Sequence, residues 1–163
     1  MVSWSKRAAR AYPTHVARAR SKTSGRSAPG SEAAPLVAIV DDDASVGRST
    51  ERLVRSLGYR TRAFTSGEEF LRSGTGALAA CLLLDVRMPG MDGLEVQRSL
   101  LEGGMHIPIV FSTGRASDEE EQRARNAGAV AFLRKPVAQA SLRRVLESVL
   151  HQRAPAGGAC DAK

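Results

Sequence analysis

What most constrains this chain is a fivefold alternation of short apolar runs with stretches of helical period. The runs are Leu36 to Val40, Arg60 to Phe64, Cys81 to Leu84, Ile107 to Ser112 and Ala129 to Leu133. Three of them are apolar through their centres, the pattern of parallel strands covered on both faces. Between the runs, Val46, Thr50, Leu53, Val54 and Leu57 form one helical stripe, closed by Gly58. Leu142, Val145, Leu146, Val149 and Leu150 form another, at i, i+3, i+4, i+7 and i+8. Ser66 with Glu69 and Ser117 with Glu120 match capping boxes that open two further helices, and Leu94 to Leu101 supplies the fifth. Strict alternation with right-handed crossovers predicts an α/β fold, a doubly wound five-stranded parallel sheet. The ligand site of such a sheet lies beyond the carboxyl ends of its strands.

The rest of the composition sets limits. With 163 residues, 42% of them hydrophobic, the chain has material for one core and two ends. The expected division is a disordered basic extension over 1–34, a domain over 35–152 and a disordered tail over 153–163. Residues 1–34 hold Lys6, Arg7, Arg10, Arg18, Arg20, Lys22 and Arg26 against Glu32 alone, whereas the other 129 residues balance 17 basic against 16 acidic side chains. The net charge of +7 therefore belongs to the extension. No apolar run is long enough to span a bilayer, and no cleavable secretory leader is apparent, so a cytoplasmic protein without membrane insertion is expected. Cys81 and Cys160 make no disulfide framework, and His15, His106 and His151 stand far apart with no neighbour at zinc-ligand spacing.

The strand-end rule picks out the chemistry. The first strand runs into Asp41-Asp42-Asp43, the third into Asp85, the fourth into Thr113-Gly114 and the fifth into Lys135-Pro136, all at one edge of the sheet. Carboxylates gathered there repel one another, and a hard divalent cation relieves them, Mg²⁺ being favoured because it accepts a few carboxylates and keeps waters. Asp85 is then a nucleophile for a phosphoryl group, with Lys135 neutralising charge. Taken singly, each feature has an ordinary reading: Asp41 to Asp43 as a turn or helix cap, Asp92-Gly93 as a turn pair, Thr113 as a loop hydroxyl, and Phe132 as core packing.

Together, Val40-Asp41-Asp42-Asp43, Leu84-Asp85-Val86-Arg87-Met88-Pro89-Gly90-Met91-Asp92-Gly93, Ser112-Thr113-Gly114, Ala127-Gly128-Ala129 through Phe132, and Lys135-Pro136 resemble the receiver domain of two-component response regulators. The resemblance covers about residues 35–152. It implies the (βα)5 flavodoxin-like fold, with Asp85 as phosphoacceptor, Asp42 as a direct Mg²⁺ ligand, Asp41 as a ligand through water and the Arg87 backbone carbonyl as another. It further implies that Thr113 bonds a phosphoryl oxygen, Lys135 pairs with phosphate, Phe132 is the rotating aromatic of a switch, and Pro136 follows a cis peptide bond. Asp41 and Asp42 are taken as the acidic pair because they directly follow the strand, leaving Asp43 as an exposed variable position. Arg87 and Arg115, two residues beyond Asp85 and Thr113, are placed to tune the lifetime of the phosphoryl group.

The implied function is a phosphorylation-dependent signalling module rather than a turnover enzyme. It catalyses its own phosphorylation from a sensor histidine kinase or histidine phosphotransfer protein, and later its own dephosphorylation. Only eleven residues follow position 152, so the expected output is contact with a downstream protein target rather than DNA binding. One rival is an aspartyl-phosphate phosphatase or phosphotransferase, although Arg87 stands where such enzymes carry an acid. Another is a nucleic-acid or membrane binding module acting through the basic extension, which has no aromatic interleaving beyond Trp4 and Tyr12 for specific nucleic-acid readout. Arg48, Arg52 and Arg55, like Glu119 to Glu121, read either as solvated faces or as docking surfaces.

Overall fold

The first strand, β1 (Leu36–Val40), turns Val37 and Ile39 to one face and Ala38 and Val40 to the other, and all four are almost wholly buried. Such a strand needs cover on both sides, and helices supply it in the computed structural model, which describes residues 34–151 other than Arg115. The expected extension, apart from Ala34, the expected tail and Arg115 lie outside the described residues. The elements run β1, α1 (Ala44–Ser56), β2 (Arg60–Phe64), α2 (Gly67–Arg72), a 3-10 turn (Thr75–Ala77), β3 (Cys81–Asp85), α3 (Gly93–Glu102), β4 (Ile109–Thr113), α4 (Asp118–Asn126), β5 (Ala131–Arg134) and α5 (Gln139–His151).

All strands are parallel, in the order β2-β1-β3-β4-β5. The chain steps from β1 outward to β2, then crosses back over β1 to β3, so the direction of winding reverses between β1 and β3. That switch point is where a doubly wound sheet opens a crevice at its carboxyl edge. On one face Val54 of α1 and Leu142, Leu146 and Val149 of α5 pack on Val37, Ile39, Cys81, Leu83 and Val110. On the other, Phe70 of α2 and Val96 and Leu100 of α3 pack on Ala38, Val40, Leu82, Leu84 and Phe111. Each fully buried aliphatic side chain is worth about 1.5–3 kcal/mol relative to exposure. Among the described residues, no helix is long and apolar enough to cross a membrane.

The sequence-predicted strands β1 and β2 coincide with those observed, while β4 and β5 begin two residues later than expected. Pro108 has no amide proton for a ladder, and Ala129 donates its amide back to the Ala124 carbonyl at the end of α4. β3 and β4 each run one residue further, taking in Asp85 and Thr113. Only half of the expected Ser66–Glu69 box forms: Ser66 accepts from the Glu69 amide, but the Glu69 carboxylate turns to the amide of Thr65. The Ser117–Glu120 box is complete. So is an Asp92–Glu95 box at the start of α3, correcting the reading of Asp92-Gly93 as a plain turn pair.

α4 differs from the other helices. Ala124 is its one buried residue, where α5 buries Leu142, Leu146 and Val149. Polar contacts tether it instead: at its carboxyl end the buried Gln97 amide of α3 donates to the carbonyls of Ala124 and Ala127, both at 3.1 Å.

Candidate acidic site at the carboxyl edge of the sheet

Parallel register delivers four strand ends to one place. Asp85 closes β3 opposite Ser112, and Thr113 closes β4 opposite Arg134. The Lys135 amide continues that ladder by donating to the Thr113 carbonyl at 3.0 Å, which carries the Lys135 side chain to the site. Asp41 follows β1 directly, its amide held by the Phe64 carbonyl of β2 at 3.1 Å.

The side chains meet accordingly. Asp41, Asp42 and Asp85 each offer a carboxylate oxygen, and these oxygens lie within 4.8 Å of one another. Asp41 and Asp85 are buried and Asp42 is exposed, so two carboxylates form the floor and one the rim. The Lys135 ammonium spans the floor, with Nζ 2.7 Å from Asp41 Oδ2 and 2.5 Å from Asp85 Oδ2. Backbone amides hold the other oxygens: Asp43 N–H donates to Asp41 Oδ1 at 3.1 Å, and Arg87 N–H to Asp85 Oδ1 at 3.2 Å. Both carboxylates are thereby fixed in plane.

Burial pushes the Asp41 carboxyl above its usual range, against the opposing pull of the Lys135 ammonium. Burial would by itself lower Lys135, but hydrogen bonds and charge from Asp41 and Asp85 outweigh it and raise the ammonium's pKa. Three hard oxygen donors in this compass suit a small divalent cation, and the lysine leaves the cluster short of full neutralisation.

Asp43 is exposed, as expected, but has a role of its own. As the N-cap of α1 it accepts from Ser45 N–H at 2.8 Å and Val46 N–H at 3.2 Å, and those bonds hold its carboxyl below the usual range. The helix cap that the sequence allowed within Asp41 to Asp43 thus falls on Asp43, immediately before the Ala44-Ser45-Val46 helix start. Thr113 is 3% exposed. Phe132 is partly buried, stacked on Phe111 with ring centroids 5.2 Å apart, and the Arg125 guanidinium lies 5.2 Å from its centroid. The Lys135–Pro136 peptide is cis, as expected.

Two contacts behind the site were not foreseen. Gly93 lies so close to the acceptor strand that a Cβ there would stand 2.2 Å from the Asp85 carbonyl oxygen. The Arg87 guanidinium reaches across to Glu120 on α4 at 3.0 Å, a pairing over 33 residues of sequence that no local pattern encodes.

Comparison with known proteins agrees with this geometry. Residues 37–147 match the family model described as response regulator receiver domain. The response regulator protein TmoT of Ectopseudomonas mendocina is 41% identical over 115 residues, 71% of this chain and 52% of TmoT. Nodulation protein W of Bradyrhizobium diazoefficiens is 45% identical over 101 residues, 62% of this chain and 44% of that protein. The chain thus spans about half the length of the curated relatives it matches. A solved structure of a response regulator receiver protein from Burkholderia phymatum matches with a TM-score of 0.63 at 44% identity, over 74% of this chain and 98% of that one.

Proposed function

Since the chain belongs to the response regulator receiver family and carries a receiver domain of two-component signalling, we propose that Asp85 accepts a phosphoryl group from a phosphohistidine donor and that the resulting change of shape is read by a protein partner. The observation that carries this reading is the placement of Asp85. It is a buried carboxylate at the end of a central strand, with Asp41 and Asp42 within 4.8 Å and the Lys135 ammonium at 2.5 Å.

An oxygen of Asp85 attacks phosphorus as the phosphorus–nitrogen bond breaks, and the imidazole leaves with the electron pair. The carboxylate is already oriented at both oxygens, which removes much of the entropy cost of alignment. Lys135 stays within reach of the incoming phosphoryl oxygens and offsets their charge, while its second partner, Asp41, keeps it from swinging to solvent. Thr113, at the neighbouring strand end, donates its hydroxyl to the phosphoryl group on this reading. Asp41, Asp42 and Asp85, with the Arg87 backbone carbonyl, would hold Mg²⁺. When bound, the ion supplies further compensation for charge on the phosphoryl oxygens. Dephosphorylation is the attack of water at the same phosphorus as its bond to the Asp85 oxygen breaks, releasing inorganic phosphate and the free carboxylate, so the domain catalyses its own gain and loss of phosphate without turning over a separate substrate.

Output follows through Phe132 and the adjoining surfaces of α4 and α5. Movement of Thr113 toward the phosphoryl group vacates space beside the Phe132 ring, and a ring that turns inward gives up its Arg125 contact, altering the face that a partner meets. The test is intact mass after incubation with acetyl phosphate and Mg²⁺. One added phosphoryl group, labile to base, is expected on the wild type and none on Asp85→Asn. Undiminished labelling of Asp85→Asn would overturn the assignment.

A further inference from the structure

Glu120 does two things with one carboxylate. Its Oε2 accepts from the Ser117 amide at 2.7 Å, closing the capping box of α4, and from the Arg87 guanidinium at 3.0 Å. Arg87 lies two residues beyond Asp85, and its amide already touches Asp85 Oδ1. One carboxylate therefore joins the acceptor loop to the first turn of the helix with least hold on the core. The carboxyl of Glu120 is held below its usual range, first by the Ser117 amide and further by the Ser117 side chain and the Arg87 guanidinium, against the opposing effect of burial.

We propose that Glu120 is a positioning residue that holds the Arg87 guanidinium away from the phosphoacceptor, and that a phosphoryl group on Asp85 draws Arg87 off it, loosening the start of α4. The inference rests on the phosphoacceptor reading of Asp85. Charge makes the exchange favourable: a guanidinium prefers a phosphoryl dianion with paired oxygens to one partly exposed carboxylate. The Arg87 side chain is 62% exposed and that of Glu120 24%, so the existing pair is weak and can be displaced. Because the two partners compete for one guanidinium, removing the Glu120 charge while Arg87 remains must favour the phosphoryl-bound state by the factor that the pair had cost it.

Two substitutions separate this role from capping. Glu120→Gln keeps a side-chain acceptor for the Ser117 amide but removes the charge, since glutamine also serves at that position of a capping box. Ser117→Ala removes the cap hydroxyl and leaves the ion pair. The probe is beryllofluoride, a non-hydrolysable stand-in for the phosphoryl group, titrated with Mg²⁺ into the full chain. The Arg87 Nε–H resonance and the amide exchange of residues 118–121 are followed alongside.

Glu120→Gln should bind beryllofluoride about three- to tenfold more tightly than the wild type, Ser117→Ala should bind as the wild type does, and the gain should vanish in an Arg87→Gln background. In the wild type, saturation should shift the Arg87 resonance and speed exchange at 118–121. Equal affinities for wild type and Glu120→Gln, a gain that survives in Arg87→Gln, or an equal gain in Ser117→Ala would each overturn the proposal. If the wild type binds no beryllofluoride at all, the phosphoacceptor reading fails and the proposal falls with it.

Discussion

Lys135 is the only lysine between residues 34 and 151, where every other fixed side-chain cation is arginine. The geometry gives the reason. A compact ammonium fits between two carboxylate oxygens at 2.5 and 2.7 Å, whereas a planar guanidinium needs a broader, forked partner. Lys135→Arg should therefore cut the initial rate of phosphorylation at least tenfold despite keeping the charge. Lys135→Met should also lower stability by about 1–3 kcal/mol in urea unfolding, because it leaves two buried carboxylates facing each other. The second titration worth following belongs to Tyr59, whose phenol is pushed up chiefly by burial, with the Glu147 charge adding to it. A folded-state pKa above the ordinary 10.0 means that the folded protein keeps a proton the unfolded chain gives up. Stability from this group is whole below pH 10.0 and declines as pH rises through the folded value. Tyr59→Phe should remove that part of the alkaline decline. Asp42 and Asp43 divide differently: Asp42→Ala should weaken Mg²⁺ binding tenfold or more with little effect on stability. Asp43→Ala should spare Mg²⁺ binding and lower the melting temperature by uncapping α1.

At the scale of elements, the chain announced its strands better than its joints. β1 and β2 could be read to the residue because aspartates, glycine and serine punctuate them, and the site residues stood out because each follows an apolar run. The late starts of β4 and β5 depend on which amides are already engaged, a matter of three-dimensional pairing. The Arg87–Glu120 and Gln97–Ala124 contacts join residues 33 and 27 apart, and they exist only because the fold sets the β3–α3 loop and α3 beside α4. The Asp92 cap is legible in Asp92-Gly93-Leu94-Glu95, where the acid three residues on separates a capping box from a plain turn. Asp92→Ala should cost about 1 kcal/mol in chemical denaturation. Gly93→Ala should cost about 1–3 kcal/mol, because the added methyl would meet the backbone of Asp85. A crystal structure of that variant should show the acceptor strand end displaced. Hydrogen exchange should find α4 opening more readily than α5, in keeping with one buried residue against three.

For the whole molecule, the proposed reading puts acceptance of phosphate and its readout on different elements, so they should separate genetically. Thr113→Ala should still take phosphate on Asp85, but its phosphorylated form should bind a partner little better than the unphosphorylated one. One charge-assisted hydrogen bond is worth about 1.5–3 kcal/mol, roughly tenfold or more in the population of the shifted state. Partner affinity measured with and without phosphodonor, for both proteins, checks this. Residues 1–33 lie ahead of the matched family segment, which begins at residue 37. Their removal should leave the labelling rate within about twofold while abolishing any salt-sensitive binding to polyanions. The thin attachment of α4 also bears on how such a protein diverges from its duplicates. A helix anchored by one alanine and a few polar ties leaves most of its surface outside the constraints of the core. Glu119, Gln122, Arg123 and Asn126 should therefore be exchangeable with a loss of folding free energy within about 0.5 kcal/mol each in chemical denaturation. If partners dock on α4, as the proposed reading has it, daughter copies formed by gene duplication would acquire new allegiances by redrawing charges on this one helix while inheriting the acidic site unaltered.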